Sequence, residues 1–278
     1  TTFFRNSFNF GSISLKPLIF RGIIPFIFYP GFLKIINLNL RKSYHVDPFC
    51  IFEVSFINIT RQILNLYSKL REPVNGLTHF LGVVLAPIAL FLLLNREQPG
   101  VTGTHIVAFS IFCASQFFLF LASTLYHSIP ASDKKLVVLR KIDHIMIFVS
   151  IAGSYTPVCL ITLGGTLGYV TLGVVWTIAL AGFFIKVFWL HAPRKLYTAI
   201  YLAMGWLVIL VIYPLYNAMP EGGMFWLILE AVFYTTGAVI YAFKRTDPFP
   251  GILGFHEIFH IFILLGAFSH FYLLLKFV

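Results

Sequence analysis

The sequence predicts an all-α integral membrane protein, a bundle of seven transmembrane helices with a cytoplasmic N-terminus and a C-terminus outside. Three observations predict this fold class: an apolar composition, seven apolar segments of spanning length, and an uneven distribution of basic residues. Hydrophobic residues make up 59% of the chain and charged residues only 11%, and the mean hydropathy is +0.88. Soluble domains carry about 25% charged residues, so this composition indicates a membrane protein.

A helix that crosses a bilayer needs about 20 mostly apolar residues, and seven such segments follow one another along the chain. Short polar or Gly/Pro-rich stretches separate them, so neighbours in sequence must run antiparallel. Prolines at positions 87, 157 and 214 fall inside spans, where packed neighbours tolerate the kinks that they cause. The predicted spans are residues 74–94, 105–126, 137–162, 168–190, 196–218, 224–243 and 254–275.

The basic residues set the predicted orientation, because cytoplasmic loops are enriched in Lys and Arg. With the residues before the first span inside, only Arg96 and Lys276 flank spans on the outer side. The cytoplasmic flanks hold Lys69, Arg71, Lys134, Lys135, Arg140, Lys141, Lys186, Arg194, Lys195, Lys244 and Arg245. These residues are dispersed between apolar runs, so the net charge of +10 reflects membrane orientation and does not predict a nucleic-acid partner.

Residues 1–66 do not fit this pattern. Their longest uncharged apolar run, residues 22–33, is interrupted by Pro25, Pro30 and Gly31 and is too short to span. The first methionine is Met146, inside the third predicted span. We therefore expect residues 1–66 to be an extension created by the gene model, with translation starting near Tyr67 at a non-AUG codon and residues 67–278 forming the seven-helix domain. An eighth, re-entrant or interfacial element is the alternative.

Polar residues that are costly inside a bilayer occur near the ends of three spans. Ser123 and His127 close the second span, Asp143 opens the third, and His256 and His260 lie in the first turns of the seventh. Residues at i and i+4 share one helix face, and the alternation of spans brings all three groups to the cytoplasmic side. Ionisable residues in a membrane usually mark a functional site.

This group of residues predicts a zinc site. Open zinc sites use three protein ligands and keep a position for water, so His127, His256 and His260 are the predicted ligands and Zn²⁺ the predicted cofactor. Zinc lowers the pKa of its water to about 7, and Asp143 is predicted to accept that proton and pass it to a leaving group. Ser123 either hydrogen-bonds a backbone carbonyl or orients the water.

The other polar residues in the spans have less specific interpretations. Membrane histidines near helix ends, such as His79, commonly satisfy interhelical hydrogen bonds. His144 points about 100° away from the predicted general base on an ideal helix, which favours a packing role. His270 follows His256 by 14 residues, about 21 Å along a helix, so the two cannot share a metal. Glu230 has no predicted role beyond a hydrogen bond across helices.

Four ordered motifs carry a family resemblance: Arg71-Glu-Pro-Val-Asn-Gly-Leu-Thr-His79, Ser123-Thr-Leu-Tyr-His127, Asp143-His-x-x-Ile-Phe with Ala152-Gly-Ser-Tyr-Thr-Pro157, and Phe255-His-Glu-Ile-Phe-His260. They resemble the hemolysin III family, the bacterial branch of the progestin and adipoQ receptors, which include the adiponectin receptors. The resemblance runs from about residue 69 to the C-terminus. It implies a bacterial plasma (inner) membrane protein with zinc near the cytoplasmic face, held by the three motif histidines, with the motif Asp and Ser near the zinc-bound water.

Three functions remain open. The first is a membrane metallohydrolase that cuts an amide or ester in a membrane lipid, because the animal relatives resemble zinc-dependent lipid amidases of the ceramidase type. The second is a pore-forming or cytolytic protein with a structural zinc, which the family name reflects. The third is a sensor or regulator of membrane state. A pore needs a polar path through the whole bundle, whereas the titratable residues cluster at one end, which favours the hydrolase.

Overall fold

The computed structural model describes residues 48–96, 100–189, 193–244, 248–249 and 253–278, and this described part of the chain is predominantly helical. A single isolated bridge between Phe249 and Leu253 is the one β contact within it. The predicted all-α fold class is therefore confirmed. Most of the predicted extension, residues 1–47, lies outside the described residues, and so does the proposed interfacial element at residues 22–33.

Nine α-helices are described, and two of them belong to one span. They are α1 (Pro48–Lys69), α2 (Pro73–Leu94), α3 (Gly103–Ser128), α4 (Asp133–Pro157), α5 (Gly165–Phe188), α6 (Arg194–Trp206), α7 (Ile212–Ala218), α8 (Gly223–Phe243) and α9 (Phe255–Phe277). A π-helical stretch, Val158–Leu163, extends α4, and a 3₁₀ stretch, Leu207–Val211, joins α6 to α7.

Seven of these stretches are long and apolar enough to cross a membrane. They are α2, α3, α4 with its π-helical extension, α5, the α6–α7 segment, α8 and α9, whereas α1 is not among them. The seven predicted spans are thus confirmed, with ends that differ by a few residues. The largest difference is in the third span, whose helix starts at Asp133 rather than at residue 137.

The fifth span is divided into two α-helices by a 3₁₀ stretch. The sequence predicts an unbroken span over residues 196–218, but the structure inserts the 3₁₀ stretch Leu207–Val211 one turn before Pro214. Proline has no N–H to donate and its ring crowds the carbonyl of residue i−4, which here is Leu210. The tighter 3₁₀ turn is therefore the local adjustment to that proline.

The spans α3 and α4 occupy the centre of the bundle. Among the 18 most apolar consecutive residues of each span, 56% are buried in α3 and 50% in α4. The corresponding share is 17–33% in the other five spans. Small residues allow close approach between helices: a Cβ on Gly153 of α4 would lie 2.0 Å from the Ser115 hydroxyl of α3, and one on Gly182 of α5 would meet the Phe148 ring. Such contacts are typical of helix packing in membranes.

Candidate metal centre

Three histidines from two helices meet at one end of the bundle. His127 ends α3, and His256 and His260 lie in the first two turns of α9. One ring nitrogen from each lies within 4.8 Å of the other two, and this group can hold a metal ion. His127 and His260 are buried, whereas His256 is partly exposed. The structure therefore brings together the three residues that the sequence predicts as ligands.

The ring of His127 is oriented by a carboxylate. Its Nδ1 lies 2.5 Å from Oε2 of Glu72, so Nδ1–H donates to the carboxylate and Nε2 is the ring nitrogen that remains for a metal. That Nε2 atom is buried and has no hydrogen-bond partner within the described residues. Metal-binding histidines almost always donate their other N–H in this way, so the orphaned Nε2 fits a metal ligand.

His260 is held in a similar manner. Its Nδ1 lies 3.3 Å from the backbone oxygen of Asn75 and 3.4 Å from Oγ1 of Thr78. Its ring stacks on His79 with centroids 3.6 Å apart and an angle of 6° between the planes. Three imidazoles, two of them anchored through Nδ1, match the nitrogen donor set that zinc prefers.

Glu72 and Asn75 form an outer layer of this site that sequence reasoning missed. The Asn75 side-chain amide donates to Oε1 of Glu257 at 2.7 Å, and Oε2 of Glu257 accepts from the backbone N–H of Gly254 at the start of α9. Glu72 also pairs with Arg71 at 3.2 Å. The layer therefore ties the starts of α2 and α9 together behind the metal ligands.

The charge of Glu72 is consistent with its role in orienting the His127 imidazole. Burial alone would raise the pKa of its carboxyl, but the hydrogen bond and charge of His127, together with the charge of Arg71, hold the pKa below its ordinary value. The group is therefore a carboxylate at neutral pH and a strong acceptor for the imidazole N–H.

Asp143 and Ser123 lie beside the histidines and outside the group of three. Asp143 is 9% exposed and Ser123 1% exposed, and both line the same cavity as the histidines. Their side chains interact directly with each other. His144, the next residue, packs its ring 5.2 Å from that of Tyr197. This placement agrees with a packing role for His144.

A cavity of about 560 Å³ connects this centre to the middle of the bundle. Its walls are mostly apolar, and its far end reaches Glu230 and His270. His270 Nδ1 lies 2.8 Å from Oε2 of Glu230, and both side chains are buried. The two residues link α8 to α9, which is the interhelical hydrogen bond expected for Glu230. The volume falls in the range of small-molecule sites.

Comparisons with known proteins show which family this sequence matches. The model of the family described as "Haemolysin-III related" matches residues 67–271. Hemolysin-3 of Bacillus cereus is 35% identical over 223 residues, which cover 79% of this chain and 98% of that protein. The Hemolysin-3 homolog of Bacillus subtilis (strain 168) is 38% identical over 211 residues, covering 76% of this chain and 95% of that protein.

Proposed function

The chain belongs to the haemolysin III family, and on that premise we propose that it is a zinc-dependent hydrolase of membrane lipids. It is a multi-pass membrane protein, and in bacteria the membrane concerned is the plasma membrane. The substrate proposed is a lipid with an amide or ester bond. One observation carries the proposal: the three histidines open onto an apolar cavity that Asp143 also lines.

The residues of the chain divide the proposed chemistry between them. His127, His256 and His260 would hold the zinc ion, which when bound supplies a Lewis acid and a nucleophile from water at neutral pH. Asp143 would take the proton that water loses as it attacks the carbonyl carbon. The same carboxyl would then return the proton to the amine or alcohol that leaves as the C–N or C–O bond breaks. Ser123 would hold the Asp143 carboxyl in position.

The apolar end of the bundle supports a hydrolase rather than a pore. Leu93, Phe109, Phe112 and Leu274 form a buried cluster at the opposite end of the helices from the three histidines. Phe112 packs on the ring of His270, with centroids 4.8 Å apart. A conducting pore needs a polar lining along its full length, and the apolar cluster gives no such lining between α2, α3 and α9. The name of the Bacillus cereus relative favours a cytolytic protein as the second candidate function.

The proposal is tested with a carboxylate pair on one helix. Asp143→Asn is expected to keep zinc and thermal stability while lowering lipid amide or ester turnover by about 10² or more, the scale of general acid–base catalysis. Asp133→Asn, which changes an exposed carboxylate in the first turn of α4, is the matched control and should keep full turnover. Absence of turnover by the wild-type protein across lipid classes would leave the metal as a structural clamp between α3 and α9.

A further inference from the structure

We propose that the cytoplasmic end of the cavity binds the anionic headgroup of an amphiphile through Arg140 and Arg194, with Lys186 reinforcing the positive charge behind them. Both arginines line the cavity. The inference deepens the proposed function by naming its substrate class, and it rests on that function only where turnover is concerned. Binding of the anionic amphiphile is a separate property that the same residues carry by themselves.

Lys186 is completely buried and Arg140 partly buried, and each has a buried nitrogen without a hydrogen-bond partner in the described part of the chain. The Lys186 side chain is 0% exposed, and neither its Nζ nor Nε of Arg140 has a hydrogen-bond partner within the described residues. The two groups are close enough for their charges to repel each other. Within the described part of the chain, no acidic side chain forms an ion pair with either. Burying a charge is costly unless it is paired, so an anion held beside Arg140 would offset the cost of the completely buried Lys186.

Tyr197 and Tyr241 lie between Lys186 and Arg194. We call these two cations and Arg140 the cationic wall. Lys186 Nζ lies 3.4 Å from the centroid of the Tyr197 ring, and the Tyr197 hydroxyl lies 3.2 Å from that of Tyr241. The Arg194 guanidinium lies 4.8 Å from the centroid of the Tyr241 ring. Arg194 Nη1 also donates a long hydrogen bond, 3.5 Å, to the backbone oxygen of Tyr241. Cation–π contacts stabilise a cation partly, and the remaining guanidinium N–H groups can donate to an anion.

The orientation of the protein in the membrane does not account for this wall. The positive-inside rule concerns basic residues in loops and at helix ends, and Lys134 and Lys135 fit it because both are exposed. It gives no reason for Lys186 to be completely buried. The inward placement of Arg140, Arg194 and Lys186 therefore needs a separate explanation, which a bound anion supplies.

The carboxylates of the cavity do not neutralise the wall. Glu72 is engaged by Arg71 and His127. Asp143 follows Arg140 by one helical turn, yet no ion pair within 4.0 Å joins them, and the Asp143 carboxyl interacts with Ser123. The cationic wall and the acidic side of the metal centre are therefore distinct parts of one cavity.

The wall lies next to the three histidines. The rings of Tyr241 and His256 have centroids 5.5 Å apart, so an anion held by Arg194 would lie beside the metal centre. Guanidinium groups pair with phosphate and carboxylate oxygens through two parallel hydrogen bonds. The apolar remainder of the cavity suits an acyl chain. The ligand class is thus a lipid with a negatively charged headgroup close to the bond that the hydrolase would cut.

The test measures binding, not turnover. Protein purified in neutral detergent is titrated with phosphatidylglycerol and with phosphatidylcholine of the same short acyl chains. We expect the wild-type protein to bind the anionic lipid about tenfold or more tightly than the zwitterionic one, the scale of a hydrogen-bonded charge pair. Arg140→Gln with Arg194→Gln should abolish that preference. The control, Lys134→Gln with Lys135→Gln, removes two exposed charges from the same side of the membrane and should keep the preference for the anionic lipid.

His256→Ala separates this inference from the proposed function. The variant should lose metal and any turnover and still prefer the anionic lipid. Equal affinity of the wild-type protein for both lipids would overturn the inference, and so would an equal loss in the lysine control. Inorganic phosphate that competes as strongly as the lipid would also overturn it, because the site would then bind a free anion rather than an amphiphile.

Lys186→Met gives a readout that does not depend on the arginine variants folding. Methionine has a similar length and removes the unpaired buried charge, so thermal stability without lipid should rise or stay equal. The extra stabilisation that the anionic lipid gives the wild-type protein should shrink in this variant. A variant that is less stable without lipid and gains as much from lipid as the wild type would overturn the role of Lys186.

Discussion

Glu230 and His270 face each other across α8 and α9, with Oε2 of the carboxylate 2.8 Å from Nδ1 of the imidazole. Glu230→Met removes the acceptor at nearly constant volume and leaves a buried N–H unpartnered, which should lower stability by about 1–3 kcal/mol. Adding His270→Phe should restore most of that loss, because both polar groups are then gone. Thermal unfolding in detergent measures both effects. Metal content should not change, and loss of metal in Glu230→Met would tie the pair to the metal centre.

The outer layer of the metal centre gives a second prediction. Glu72→Gln replaces the carboxylate that orients His127 with a neutral amide, and zinc affinity should fall by about 10–100-fold, the usual effect of removing such a partner. Titration of the apoprotein against a competing chelator measures the change. Glu221→Gln, which alters an exposed carboxylate before α8, should leave the affinity unaltered. Equal affinities in wild type and Glu72→Gln would show that this hydrogen bond does not support a metal ligand.

Metal content itself gives the third prediction. Elemental analysis of the purified protein should find about one zinc per chain, because one group of three histidines is positioned to hold it. His256→Ala should remove most of that zinc, since two ligands do not make a stable site. His105→Ala is a suitable control because that residue lies in the first turn of α3, at the opposite end of the helix from His127. A metal-free wild-type protein that keeps its fold would contradict the metal centre.

Orientation in the membrane gives the fourth prediction. The excess of basic residues on one set of flanks predicts a cytoplasmic loop between α3 and α4 and a C-terminus outside. Reporter fusions in the loop at residues 132–135 should behave as cytoplasmic, and fusions after Val278 as extracytoplasmic. The reverse pattern would move both the metal centre and the cationic wall to the outer face.

The convergence of the three histidines was predictable because it depends on two local rules. The spacing of His256 and His260 fixes one helix face, and the number of spans between them and His127 fixes the membrane side. Partners such as Glu72 of His127 were not predictable, since a hydrogen bond between residues 55 positions apart leaves no periodic signal. A carboxylate just before an apolar span, in the quoted Arg-Glu-Pro-Val-Asn motif, was the one available indication.

The burial of single polar side chains could not be predicted from the sequence either. In the sequence, Lys186 is one more basic residue at a helix end. Only the packing of α5 against α4 shows that its side chain is completely buried. The pairing of Glu230 with His270 likewise depends on how α8 and α9 are rotated against each other. Hydrophobic periodicity reports the apolar face of a helix, and it is weak in spans that are apolar all round.

The 3₁₀ stretch in the fifth span makes that side of the cavity less rigid than the others. The hydroxyl of Tyr155 donates to the backbone oxygen of Gly205 at 2.6 Å and accepts from the N–H of Val208 at 2.8 Å. One phenol on α4 thus replaces backbone bonds that the other spans make within themselves. Local opening is least costly where few backbone hydrogen bonds must break, so we expect this side of the cavity to open most easily between Gly205 and Val208.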